Sequence, residues 1–264
     1  MKIHATAAVD EGAVLANDVE IGPFAVVGSD VVVGAGTVIQ SHAVIEGRVR
    51  IGAGNTIGHG SVIGGLPQDL RFDPEARSSV EIGDGNVIRE HCTIHRGTAD
   101  GSATTVGNKN FLMAGAHIGH NCRVGDDVII ANNALLGGYV SVDDRAFIGG
   151  ATTFHQNVRV GRLAMVQGSS AFSKDIPPFL LAAERNFVVG VNVLGLRRAS
   201  MTAAERDEIK RAFKLLYRSG LNVRQAIDKA AENKFGPFGR EFFEFVTEAK
   251  KRGIAAYRHG GEEP

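Results

Sequence analysis

Two histidines, His117 and His120, stand three residues apart in the segment FLMAGAHIGHNC, residues 111–122. An imidazole titrates near neutrality, so either ring can take a proton from a hydroxyl at cellular pH and hand it on. Two kinds of chemistry are open to such a pair. One is metal binding, which for zinc needs three or four ligands closing a tetrahedron. No third ligand stands out beside these two, so no metal is expected, which leaves a single general base or a structural ring. The two cysteines, Cys92 and Cys122, form no CxxC pair and suggest no disulfide framework.

A general base needs a rigid support, and the sequence supplies one by repetition. Steps of six from Ile3 land on Val9, Leu15, Ile21, Val27, Val33 and onward to Ile63 without a break. The frame resumes at Ile82, Ile88 and Ile94, and again from Val106 to Phe172, for 26 aliphatic- or Phe-led hexads in all. A period of six fits neither a helix nor a hairpin meander. It fits a three-sided coil in which each hexad is one short strand and one corner, and leaders stack every eighteen residues. The Gly that often follows a leader marks a place where a Cβ is unwelcome.

Two stretches interrupt the frame, residues 69–81 (DLRFDPEARSSVE) and residues 100–105 (DGSATT). Insertions in a solenoid become loops on its outside, often at a binding face. The coil is expected over residues 1–178, ending near Pro177-Pro178, with a helical domain over 179–264. There Thr202-x-x-Glu205 reads as a capping box and Gly220 as a helix stop. A second helix is expected from Asn222 to Asn233, and a third from about Gly239 to Gly253.

Lys plus Arg equals Asp plus Glu at 29 each, so global charge points to no nucleic acid or membrane partner. Residues 179–264 nonetheless hold 16 Lys and Arg against 11 Asp and Glu, a net of +5, which leaves −5 on the coil. No apolar run resembles a signal peptide or a membrane span, and a cytoplasmic protein is expected.

The hexads resemble those of the left-handed β-helix acyltransferases. The strips CTIHRGT (92–98), FLMAGAHIGHNC (111–122), IANNALLGGYVSV (130–142), IGGATTFHQ (148–156), GVNVLGLRR (190–198) and FKLLYRSG (213–220) narrow the likeness. They are similar to those of the UDP-N-acetylglucosamine 3-O-acyltransferases of lipid A synthesis. The resemblance implies an all-β solenoid, a left-handed parallel β-helix with a C-terminal α-helical segment. It implies transfer of a 3-hydroxyacyl chain from acyl carrier protein to the 3-position of the sugar nucleotide. It also implies a homotrimer, an acidic carrier as partner to the basic segment, and no bound cofactor beyond the 4'-phosphopantetheine that the carrier brings.

Carried over by residue, the resemblance makes His120 the general base and gives Gly138 an oxyanion-binding backbone N–H. His117 becomes a contact to substrate or carrier. Asp69, Gln68 and Arg71 fall on the sugar nucleotide, His155 and Gln156 near its N-acetyl group. Asn192 falls on the pantetheine arm, Arg198 on the nucleotide, and Gly168 at the position that sets chain length, where a glycine leaves room for a long chain. Three positions depart from the pattern. Asn121 stands where many relatives carry Asp, Tyr139 where His is common, and Ala199 in place of a second Arg. An Asp beside the base would raise its basicity and Asn does not. The 3-amino analogue of the nucleotide, whose amine needs the base less, is therefore an alternative acceptor. A non-catalytic scaffold coil is a further alternative, but it gives no reason for these strips to occur together.

Overall fold

In the computed structural model, which describes residues 1–249 and 252–258, every hexad forms one strand and one corner. Twenty-six short strands run from Lys2–Ile3 to Ala171–Phe172. Each of the first twenty-three pairs in parallel with the strand three places on, as Phe111–Leu112 does with Ile129–Ile130 and His117–Ile118 with Leu135–Leu136. The result is a left-handed parallel β-helix with three faces. The first face runs from Lys2–Ile3 to Met165–Val166, the second from Ala8–Val9 to Ala171–Phe172, and the third from Val14–Leu15 to Arg159–Val160.

The leaders fill the prism. Ile39, Ile57, Ile94, Ile118, Ile130 and Leu136 have no exposed surface, and each such burial contributes about 1.5–3 kcal/mol before entropy is charged against it. At the N-terminal end Ile3 is 43% exposed because no coil lies beneath it.

The glycine after the leader is required by the coil above it. A Cβ on Gly58 would stand 2.4 Å from the Arg89 carbonyl carbon, and one on Gly34 2.6 Å from that of Gly52. The left-handed backbone position falls two residues later, where non-glycine residues are common: φ is +60° at His42, +60° at Asn121 and +61° at Tyr139. Along the edge between the third and first faces, corner N–H groups are capped from the next coil. Those of Ala53, Asp84, Asn108 and Asp126 donate to the side-chain oxygens of Asp84, Asn108, Asp126 and Asp144 at 2.6–2.8 Å.

Both insertions leave the second face and enter the third, so they emerge on one edge. They are displaced from the expected spans of 69–81 and 100–105. Ser79–Ile82 and Ala103–Val106 are strands in register, Ser79 opposite Ala103 and Ile82 opposite Val106. Val80 and Thr104 turn inward along with the leaders, which lengthens each strand beyond its hexad and leaves residues 66–78 and 96–102 as the loops.

Beyond Pro178 the chain does not become helical at once, contrary to expectation. Leu180–Ala183 continues the first face in parallel with Met165–Val166, and Phe187–Val191 returns antiparallel to it. This hairpin covers the sheet edge that the last coil would leave open. Four helices follow: α1 (Val193–Arg198), α2 (Ala203–Tyr217), α3 (Val223–Glu232) and α4 (Pro237–Thr247). The capping box of Thr202 and Glu205 is formed, and Asn222 with Gln225 forms a second. Helix α4 stops at Thr247, short of Gly253, because the chain turns back to pair Ala256–Tyr257 with Phe187–Val188. Two arginines bind the helices to the coil. Arg162 grips Glu241 through two bonds of 2.8 and 2.7 Å. Arg159 reaches Asp175, Glu248 and the Phe245 carbonyl and lies 4.2 Å from the Phe245 ring centroid.

Coil contact at the glycine positions sets a test. Gly58→Ala should lower stability by about 1–3 kcal/mol through overpacking. Gly54→Asn should be tolerated, since nothing lies within 4 Å of the added Cβ and Asn accepts the φ of +65°. Denaturant midpoints measure both, and equal midpoints would contradict the contact argument.

Candidate active site

His120 is the third residue of its hexad and sits on the edge between the second and third faces, the edge from which both loops emerge. Coil stacking places Gly138 one layer above it and Gln156 one layer above that, with His155 over Gly137. The imidazole rests on Gly138: a Cβ there would fall 2.3 Å from Cε1 and 2.4 Å from Nε2 of the ring. Residue 138 is thus glycine because the ring occupies the side-chain position.

The ring's tautomer follows from its neighbours. The Thr98 backbone N–H can only donate, so its partner on Asn121 at 3.1 Å is the amide oxygen Oδ1. His120 Nδ1 lies 3.0 Å from that same oxygen and must carry its proton toward it. In the neutral ring Nε2 then keeps the lone pair. The Thr98 hydroxyl also reaches Asn121 Oδ1, at 3.0 Å, and lies 3.0 Å from the Tyr139 hydroxyl. The Tyr139 ring meets the His120 ring edge-on, with centroids 5.3 Å apart. The Asn121 N–H donates to Thr104 Oγ1 at 2.7 Å, which holds the left-handed corner.

Sequence reasoning assigned no role to Thr98, Thr104, Tyr139 or His95. Thr98 and His95 belong to the strip CTIHRGT, which was the available signal; their contacts depend on where the second loop closes. His95 lies edge-on to His117 at 4.8 Å, and His117 Nδ1 is 2.7 Å from Thr93 Oγ1. Burial first, then the neighbouring His95 and His120, hold His117 down to about 4, and burial also lowers His95. Both stay neutral at cellular pH. Among the described residues no three His, Cys, Asp or Glu side chains form a group that could hold a metal ion.

The first loop brings Asp69 to this edge. The Arg71 backbone N–H, 2.9 Å away, holds the Asp69 carboxyl below its usual range. Gln68 and the Arg71 side chain are exposed. A groove of about 1390 Å³ opens beside Asn121 and Tyr139 and continues past Arg123, Asn157 and Arg252.

The remaining sequence-derived positions are not gathered here. Gly168 lies exposed on the edge between the first and second faces, where an added Cβ would stand 3.0 Å from the Gly150 carbonyl oxygen. Asn192 lies beside the edge between the third and first faces. There its side chain caps α1 through the Gly195 N–H and donates to the Leu163 carbonyl. Arg198 is exposed at the end of α1.

The edge therefore combines an imidazole whose Nε2 is open with a backbone N–H, that of Gly138, which donates to no acceptor among the described residues. The first can remove a proton, and the second can bind a negative oxygen.

Comparison with known proteins agrees with this architecture. The family model described as "Udp N-acetylglucosamine O-acyltransferase; Domain 2" matches residues 175–255, and that of the bacterial transferase hexapeptide matches residues 12–47 and 103–138. The chain is 44% identical over 258 residues to the acyl-[acyl-carrier-protein]–UDP-N-acetylglucosamine O-acyltransferase of Janthinobacterium sp. (strain Marseille), covering 96% of this chain and 98% of that one. It is similar to the solved UDP-N-acetylglucosamine acyltransferase of Campylobacter jejuni, with a TM-score of 0.91, 38% identity, and coverage of 97% of this chain and 100% of the other. The Francisella novicida enzyme gives a TM-score of 0.93 at 37% identity, with coverage of 97% and 94%.

The depressed His117 has a consequence for stability. Its value of about 4 in the fold lies below the value near 6.5 expected for an unfolded chain. Between the two the unfolded state binds more protons. Its contribution to stability is therefore intact above about pH 6.5 and is lost as the pH falls toward 4. His117→Gln should flatten that part of the curve of thermal midpoint against pH; an unchanged slope would remove His117 as its source.

Proposed function

The chain belongs to the acyl-[acyl-carrier-protein]–UDP-N-acetylglucosamine O-acyltransferase family, and from that premise we propose that it moves a 3-hydroxyacyl chain from acyl carrier protein to the 3-hydroxyl of UDP-N-acetylglucosamine, with His120 as general base, as a step of lipid A synthesis in the cytoplasm. The observation that carries this reading is the His120 ring seated on Gly138, its Nδ1 proton committed to Asn121 and its Nε2 free.

In this mechanism Nε2 takes the proton of the sugar 3-hydroxyl as the oxygen attacks the thioester carbonyl. The carbonyl oxygen becomes negative and is bound by the Gly138 N–H, a donor of a kind that contributes about 3 kcal/mol to transition-state stability. Collapse breaks the carbon–sulfur bond, and the pantetheine sulfur receives the proton from His120. The step balances without a further cofactor; the 4'-phosphopantetheine arrives with its carrier. Asp69, Gln68 and Arg71 face the sugar nucleotide from the first loop, and His155 and Gln156 lie above the reacting centre near the N-acetyl group. His117 lines the approach as a neutral donor or acceptor. The net charge of +5 on residues 179–264 suits an acidic carrier.

A homotrimer follows from the same reading. Gly168, His120 and Asn192 lie along three different edges of one prism, and several chains packed side by side bring different edges together. Asn192 and Arg198 then serve the pantetheine arm and the nucleotide from α1 of a neighbour, and Gly168 leaves the acyl groove open to a long chain. Purified enzyme offered carriers of graded chain length should form mainly long-chain product by mass spectrometry. His120→Ala should lower turnover about 10²–10⁴-fold while light scattering still reports three chains. A variant keeping more than about a tenth of the rate would sink the general-base assignment.

One observation supports a second acceptor. The group at His120 Nδ1 is a neutral amide oxygen that also accepts twice from Thr98. Among the described residues no anion is hydrogen-bonded to Nδ1, and a neutral amine acceptor depends less on the base than a hydroxyl does. In competition the 3-amino nucleotide should be acylated readily to an amide, and Asn121→Asp should shift preference toward the 3-hydroxy nucleotide. A ratio that does not move with Asn121→Asp would rule out this reading.

A further inference from the structure

We propose that Cys122 is a positioning residue for acyl transfer: its buried thiol holds the Gly137–Gly138 peptide so that the Gly138 N–H stays turned toward the reacting carbonyl. The proposal rests on the reading of that N–H as the oxyanion donor. Cys122 follows His120 by two residues and points into the prism with no exposed surface. Its Sγ lies 3.1 Å from the carbonyl oxygen of Gly137. That oxygen and the Gly138 N–H are opposite ends of one peptide unit, so a donor on the first fixes the direction of the second and polarises it.

The contact is a recurring device of this coil. At several hexads a polar or thiol-bearing fifth residue donates to the carbonyl of the second residue one coil on. Thr37 bonds Gly52, Ser61 bonds Arg89, Cys92 meets Met113, and Thr152 bonds Gln167, at 2.8–3.2 Å. What differs at Cys122 is the peptide that is held. Glycine flanks it on both sides, so its plane can rotate at little steric cost. Above Thr37 the equivalent N–H, that of Ala53, is already held by Asp84. The Gly138 N–H has no such cap, and the only other donor to the Gly137 oxygen among the described residues is the Val140 N–H at 3.3 Å. Burial pushes the Cys122 thiol up to about 12, so it remains a protonated donor across the working pH range.

The test uses the full-length protein labelled with ¹⁵N-glycine, as Cys122→Ala and Cys122→Ser. Cys122→Ala should lower kcat about three- to tenfold, the worth of one modest hydrogen bond. KM for both substrates should stay put, and the Gly138 amide resonance should move. Cys122→Ser restores an oxygen donor and should return kcat to within about twofold of wild type, with the resonance back near its original position. A structural role alone predicts a lower thermal midpoint with kcat unchanged. If the resonance does not move in Cys122→Ala, the thiol does not hold the peptide and the proposal fails, while the assignment of Gly138 survives. If it moves and kcat does not fall, the Gly138 assignment fails and takes the proposal with it. Equal losses of kcat in Ala and Ser also overturn it. Should Cys122→Ala not fold, Cys122→Val fills the space without a donor and takes its place.

Discussion

The rest of this molecule depends on one constraint, the direct stacking of each coil's backbone on the next. Parallel strands about 4.8 Å apart satisfy one another's amides, and the glycine after each leader lets the corners approach as closely as the strands do. A Cβ at Gly58 or Gly34 would enter the backbone of the coil above. The spacing is thus set by covalent geometry and hydrogen-bond length, and side chains must fit it.

From that spacing come columns. Residues eighteen apart stand over one another, so a corner side chain has a fixed neighbour above and below. At the edge between the third and first faces the column is Asp and Asn, and each side chain caps the N–H beneath it. At the edge between the second and third faces the column is His120, Gly138 and Gln156. The cap is missing, a ring lies against the glycine, and the N–H stays open. The same backbone is closed at one edge and available for binding at the other, according to which side chains line the column. Tyr139 and Thr98 then complete the hydrogen-bonded group that holds His120.

A solenoid tolerates insertions only at its corners, where no ladder bond is broken. Both loops leave at the corner that carries His120. One contributes Asp69, the other Thr98, and neither disturbs the leaders beneath, since Ile63, Ile94 and Ile118 remain without exposed surface. The hairpin after Pro178 closes the upper end of the first face, and the Arg159 and Arg162 contacts fasten the helices to the coil.

The coil, its three faces and the buried column of leaders were legible in the sequence because a six-residue period has one geometric solution and repeats 26 times. The capping box of α2 was legible because Thr202 with Glu205 is a purely local arrangement. His120 and Asn121 were legible as adjacent residues, and the strips around them carried the resemblance to a family. Contacts between residues far apart in the chain were not. The oxygen of Asn121 is identified by Thr98, twenty-three positions away, and the need for glycine at 138 comes from a ring eighteen positions back. Register turned Ser79–Ile82 and Ala103–Val106 into strands where the hexad frame had lapsed, and an open sheet edge drew Leu180–Ala183 into pairing where helix was expected. Periodicity specifies which side chains point inward; only the stacked chain decides which loops, rings and amides then meet at one edge.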